Sequence, residues 1–212
     1  MALRLSGGRK LQSPPGDTAR PTPSRVRLAV MNMLSAELPG ARWLDLCCGS
    51  GVMGCEALQR GAATVVAVDQ DRRMAATARS NLELVAAAQV PAATAQVATQ
   101  DVLRWLQQGP SARSDSSGGT DVVAPGSFDL IYADPPYASG LYGAIAAAVA
   151  ERGWLKADGL LLLECSSGDV PKQPQGWCVL KERRYGGSTV LVLRQASDPD
   201  VQQDLPDQQE TR

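Results

Sequence analysis

Residues 42–54 read Arg42-Trp43-Leu44-Asp45-Leu46-Cys47-Cys48-Gly49-Ser50-Gly51-Val52-Met53-Gly54, and the fold turns on this stretch. From Trp43 to Cys48 every residue but Asp45 is apolar, which predicts a core strand. The glycines that follow match G-x-G-x-x-G between that strand and a helix running to about Arg60. Such glycines let the backbone approach a ligand closely and let the helix pack tightly on the strand. The spacing alone serves a nicotinamide enzyme as well as any other nucleoside binder. Asp45 narrows the choice. A carboxylate inside the strand is a poor neighbour for an anionic pyrophosphate. It suits a ligand with an ammonium group, either by direct contact or by ordering the loop around it.

Working outward, Thr64-Val65-Val66-Ala67-Val68-Asp69 predicts a second strand that ends in an acid. A carboxylate ~20 residues past the glycines is placed to take both ribose hydroxyls of a nucleoside. An aspartate merely opening a turn is the plain alternative. Asp71 to about Ala88 predicts a helix with Met74, Ala78, Leu82 and Val85 on one face. A third strand, Thr94 to Gln100, ends at Asp101, a candidate for the amine edge of an adenine. Helix resumes over Val102-Leu103-Arg104-Trp105-Leu106.

A second informative stretch is Asp134-Pro135-Pro136-Tyr137, after the apolar, β-favouring Phe128-Asp129-Leu130-Ile131-Tyr132-Ala133. Two prolines cannot continue a sheet ladder, and the residue before a proline is held extended. The strand exit therefore presents a carboxylate, a carbonyl and an aromatic face, where open α/β sheets bind ligands. A nucleobase amine is a poor nucleophile because its lone pair is delocalised into the ring. If Asp134 and the Pro135 carbonyl each accept one N–H, the nitrogen is drawn towards tetrahedral geometry. Tyr137 can then stack on the base, a contact of roughly 1–3 kcal/mol. An Asp-Pro-Pro turn that only closes a strand occurs in many folds.

Elsewhere, Leu3-Arg4-Leu5 and Lys10-Leu11-Gln12 flank glycines as in a small hairpin. A helix is expected from Ser24, as N-cap, to about Leu38, with Val26, Val30, Met33 and Leu34 buried. Arg9, Lys10, Arg20, Arg25 and Arg27 crowd this end of the chain, as in a phosphate-contacting arm; a solvated charged face is the alternative. Residues 107–127, rich in Ser and Gly, read as a disordered surface loop. Ala144 to Ala150 is helical, and Gly159 to Cys165 is a fully buried strand. Trp177 to Arg183 and Ser188 to Arg194 form a closing hairpin. Residues 197–212 read as an unstructured tail. The domain reading is thus a basic hairpin or arm (1–23), a main domain (24–196) and the tail.

Composition sets bounds. The 212 residues suffice for one domain with a sizeable core, and 44% are hydrophobic. The net charge of −1 hides polarity: the amino-terminal end is basic and the tail acidic. Without histidine, Ser-His-Asp, Cys-His and His-metal chemistry are excluded. Adjacent Cys47 and Cys48 close poorly around a metal, so no metal site is expected. Five cysteines without framework spacing fit a reducing cytoplasm. No signal peptide or membrane span is expected.

Several of these motifs together resemble the S-adenosylmethionine-dependent methyltransferases of the Rossmann-like class I. Among them the chain is similar to the RsmD family, which methylates a guanine N2 in bacterial 16S ribosomal RNA. The resemblance rests on Arg20-Pro21-Thr22 with Arg25-Val26-Arg27 and Asn32, Leu44 to Gly51, Gly54-Cys55-Glu56-Ala57-Leu58 with Arg60-Gly61-Ala62, Asp134 to Tyr137, and Tyr185-Gly186. It implies an α/β fold: a mostly parallel sheet flanked by helices, with an antiparallel closing hairpin and a small N-terminal hairpin. It implies that S-adenosyl-L-methionine is held by Asp45, Gly49, Ser50, Gly51, Asp69 and Asp101. Asp134, Pro135, Pro136 and Tyr137 would hold the guanine, and Arg9, Lys10, Arg20, Thr22, Arg25 and Arg27 the RNA. The expected partner is 16S ribosomal RNA in the small subunit or an assembly intermediate, and the expected state a cytoplasmic monomer. Transfer would be direct, without a covalent protein intermediate. Leu28 and Met31 depart from the family's usual glutamate and phenylalanine, and Cys47-Cys48 from its aromatic and alanine. The alternatives are an adenine N6 methyltransferase, a nicotinamide-dependent oxidoreductase and a non-catalytic RNA-binding module.

Overall fold

The structure, a computed structural model, describes residues 3–13, 22–109, 112–114, 120–122, 127–136 and 140–196. Arg20, Tyr137 and the 197–212 tail, all singled out by the sequence, lie outside the described residues.

Strands alternate with helices in chain order: α1 (Ser24–Met33), β1 (Arg42–Leu46), α2 (Val52–Gln59), β2 (Thr64–Asp69), α3 (Arg72–Ala86), β3 (Thr94–Thr99) and α4 (Val102–Gln107). They continue with β4 (Ala112–Ser114), β5 (Thr120–Val122), β6 (Phe128–Ala133), α5 (Tyr142–Glu151), β7 (Leu155–Ser166), β8 (Trp177–Tyr185) and β9 (Ser188–Gln195). The main sheet has seven strands in the order β3-β2-β1-β6-β7-β9-β8. The first five run parallel, and β9 is antiparallel to both β7 and β8. Strand order therefore reverses at β1, which pairs with β2 on one side and β6 on the other. Open α/β sheets place their ligand crevice at such a reversal.

Period-two alternation divides the core between two layers. Trp43, Val65, Leu130, Tyr132 and Leu162 pack with α1, α2 and α3. Leu44, Leu46, Val66, Ile131 and Leu161 face the other way, towards α4 and α5. Both faces are covered, so the central strands read as nearly continuous apolar runs.

Four details differ from the sequence expectation. The buried stripe of α1 is Val26, Arg27, Val30 and Met31, with Met33 only half-buried. Its N-cap is Pro23, without a side-chain hydrogen bond, rather than Ser24. The amino-terminal hairpin is part of the main body: Arg4 and Lys10 bridge, and Leu3, Leu5 and Leu11 are buried in the α1–α3 core layer. Within 107–127, β4 and β5 form an antiparallel pair, so this insertion carries regular structure where none is expected from composition. Among the described residues no helix is long and apolar enough to cross a membrane.

Candidate active site

The carboxyl ends of β1, β2, β6 and β7 open into a cavity of about 860 Å³, within the range of small-molecule sites. Its wall is built first by the turn between β1 and α2. Cys47 (φ 59°), Gly49 (φ 53°) and Gly51 (φ 72°) all take left-handed backbone. For a cysteine this is uncommon and costs on the order of 1–3 kcal/mol, a kind of strain that clusters at functional sites. The turn is held by the Cys48 amide donating to Val68 O at 3.1 Å and the Gly51 amide donating to Cys48 O at 2.8 Å. The glycines divide their work. A Cβ added at Gly51 would lie 3.0 Å from Ala78 Cβ, and one at Gly54 2.8 Å from Val65 Cγ1, so these two permit helix packing. At Gly49 an added Cβ meets nothing within 4 Å; its backbone faces open space.

Four carboxylates organise the turn and its surroundings. Asp69, ending β2, accepts from the Gly49 amide at 2.8 Å and from the Asp71 amide at 2.8 Å, one through each oxygen. Each oxygen keeps a further lone pair. Asp45, buried in β1, accepts from the Gly54 amide at 3.0 Å. Burial raises its pKa to about 7, against the lowering effect of that amide. Asp101 caps α4 by accepting from the Arg104 amide at 2.9 Å and also lines the cavity. Asp71 caps α3. Ser50 is buried, and its carbonyl accepts from Asn81 Nδ2 at 3.0 Å; the same Asn81 amide group donates to Gln12 O, which ties the hairpin to the turn.

Beside β1, the Asp134 amide donates to Leu46 O at 3.3 Å, which extends the β1–β6 ladder by one step before Pro135 ends it. Pro135 is buried and Pro136 exposed, and both line the cavity. Burial first, then the charges of Glu164 and Asp45, push the Asp134 pKa up to about 8, while a hydrogen bond from Thr22 opposes them. Glu164 and Tyr132, which belong to none of the sequence motifs, also reach this site. Tyr132, on the same face of β6, donates its hydroxyl to Glu164 Oε2, and both line the cavity. The available signal was a lone acid near the end of the apolar run Leu160-Leu161-Leu162-Leu163-Glu164, the same kind of placement that marked Asp45.

The basic residues separate. Arg9 and Lys10 are exposed on the hairpin. Arg25 is exposed at the cavity rim, so close to Gly186 that a Cβ there would come within 2.6 Å of Nη2. Thr22 lines the cavity but is buried. Arg27 corrects the expectation of a phosphate contact. It is buried, pairs with Glu56 at 3.2 Å, and donates to Thr22 O at 2.8 Å and Arg4 O at 2.6 Å. A guanidinium so enclosed ties the hairpin, α1 and α2 together and is not offered to a phosphate. Burial and surrounding carboxylates raise the Cys47 thiol to about 12, far from the range of a reactive thiolate.

Fold and cleft define a protein of the class I, Rossmann-like methyltransferase type. A family profile described as "Conserved hypothetical protein 95" matches residues 5–194. The chain belongs to this family, that of RsmD. It is 29% identical over 189 residues to "Ribosomal RNA small subunit methyltransferase D" of Escherichia coli K12, covering 87% of this chain and 85% of that one. The solved structure of the Escherichia coli yhhF protein matches with a TM-score of 0.73 at 26% identity, covering 93% of this chain and 100% of that one. An RNA methyltransferase from Salinibacter ruber, solved with S-adenosyl-L-homocysteine, matches with a TM-score of 0.59 over 89% of this chain and 100% of that one. At 15% identity, that likeness establishes the fold alone.

Proposed function

We propose that the protein is an S-adenosyl-L-methionine-dependent methyltransferase that modifies the exocyclic N2 amine of one guanine in 16S ribosomal RNA. One observation carries the reading. The glycine turn with Asp69 and the Asp134-Pro135-Pro136 exit line one cavity, so a nucleoside cofactor and a base amine can meet in it.

The donor set fits that cofactor. Open backbone at Gly49 admits close approach, Asp69 has lone pairs left for two ribose hydroxyls, and Asp101, on the cavity wall, would accept from the adenine amine. Asp45 orders the turn through Gly54 and adds negative potential beneath a cationic ligand. When bound, S-adenosyl-L-methionine supplies a methyl group already activated on a sulfonium.

The chain's own task is then positioning, which can supply much of the barrier reduction in a reaction between two bound partners. Asp134 and the Pro135 carbonyl accept the amine's N–H groups and turn its lone pair outward. The Thr22 hydrogen bond favours the ionised form of Asp134, against the burial and the neighbouring Glu164 and Asp45 charges that raise its pKa. Tyr137 supplies the stacking ring for a base that must leave its stack to reach the site. Arg9, Lys10, Arg20 and Arg25 contact phosphate, and the partner is the small ribosomal subunit or an assembly intermediate. The enzyme acts in the cytoplasm as a monomer.

The test is mass mapping of modified nucleosides in small-subunit ribosomal RNA from cells with and without the gene. Loss of a single N2-methylguanosine is expected. An unchanged guanine profile sinks the assignment, and loss of an N6-methyladenine replaces it with the adenine reading.

A further inference from the structure

Glu164 plays no part in the reaction outlined above, yet the sheet delivers it to the same place as Asp134. Strands β6 and β7 are parallel with Ala133 opposite Leu163. The next residues, Asp134 just past the end of β6 and Glu164 still paired with Val190 of β9, therefore lie side by side on one face, together with Tyr132. Glu164 is 1% exposed, and among the described residues no lysine or arginine forms an ion pair with it. Its contacts are hydroxyls: Tyr132 donates to Oε2, and the Ser188 side chain also hydrogen-bonds to it. Two neighbouring carboxyl groups in one cavity keep lone pairs beyond those that Tyr132 and Ser188 occupy, and a ligand that brings donors can fill them.

The edges of the purines differ in the way that matters here. Guanine presents N1–H beside the N2 amine, so donors stand next to donors. Adenine presents its amine beside a bare N1 acceptor. Flipped bases are read along this edge. We infer that Glu164 is a specificity-determining residue that accepts the N1–H of the target guanine while Asp134 accepts from the N2 amine. Tyr132 and Ser188 act as positioning residues that hold the Glu164 carboxylate. The inference rests on the methyltransferase reading and deepens it, because it supplies the physical reason for guanine over adenine.

The test uses small-subunit RNA carrying 2-aminopurine in place of the mapped guanine. That analogue keeps the 2-amine but presents N1 as an acceptor. The wild-type enzyme is expected to lose at least ~100-fold in kcat/KM on it, since a site built for a substrate N–H rejects an analogue lacking it. In Glu164→Gln the amide can donate to N1, so the preference should collapse or invert, with cofactor affinity unchanged. Equal use of both bases by the wild type overturns the inference, as does a Glu164→Gln protein that binds cofactor but keeps the wild-type preference or is inactive on both. If that variant does not fold, the wild-type comparison decides alone. A wild-type enzyme that leaves guanine unmodified overturns the functional reading, and this inference with it.

Discussion

Asp69 Oδ2 accepts the Gly49 amide at 2.8 Å and, with the Cys48 amide donating to Val68 O, ties the end of β2 to the turn that follows β1. The turn's left-handed residues have few local reasons to keep their shape, so the acid that is offered to the ribose also holds the cradle. Asp69→Ala is expected to weaken S-adenosyl-L-methionine binding about 10- to 100-fold, the scale of hydrogen bonds to a charged group at roughly 1.5–3 kcal/mol. Calorimetric titration checks it. Unchanged affinity would remove Asp69 from the cofactor site.

Asp134 lines the same cavity as the glycine turn. Asp134→Ala should lower kcat by roughly 10²–10³, the scale seen when one preorganised polar contact is removed, while cofactor affinity stays near wild type. Single-turnover methylation and cofactor titration on the same preparation separate the two. Joint loss would assign the Asp-Pro-Pro exit a structural role.

The buried carboxyls also predict a pH dependence of stability. Asp134 is raised to about 8 and Asp45 to about 7 in the folded protein, against ordinary values near 3.8. Between pH 4 and 8 the folded state holds protons that the unfolded state releases, so stability falls as pH rises through that window. Asp134→Asn removes one of these groups. It should melt higher than wild type at pH 8, with the advantage shrinking towards pH 4. Thermal melts across that range test it, and an advantage that grows on acidification would contradict the burial of this carboxyl.

Arg25 and Arg27 are two residues apart and should behave oppositely. Arg27→Ala leaves Glu56 charged and buried without its partner, a loss of about 3–5 kcal/mol in stability. Arg25→Ala should change stability by less than about 0.5 kcal/mol, yet weaken RNA binding and reduce the salt slope by about 1. Denaturant melts and salt-dependent binding measure both. A stable Arg27→Ala protein would mean that the buried pair is dispensable.

The local grammar of the chain was enough for the order of helices and of the strands in the main sheet, the glycine turn and the strand that leads to Asp134, but not for the β4–β5 pair. Those signals are short-range: apolar alternation, glycines where φ turns positive, prolines that stop a ladder. Asp69 was legible for the same reason, since its distance from the glycines follows from one helix and one strand. Arg27 was misread because clustering of charge says nothing about direction. Successive helix residues turn by about 100°, so Arg27 faces inward with Val30 and Met31, three and four positions on, while Arg25 faces out.

Tertiary structure alone decided the rest. The meeting of Glu164 with Tyr132 and Asp134 depends on the register of two parallel strands about thirty residues apart, joined through α5. The docking of the hairpin depends on Glu56 finding Ser6 and Arg27 across distant parts of the chain. Neither arrangement leaves a periodic mark in the sequence. Which buried carboxylate gains a partner, and which is left to a ligand, is settled only when separate elements pack and water is excluded between them.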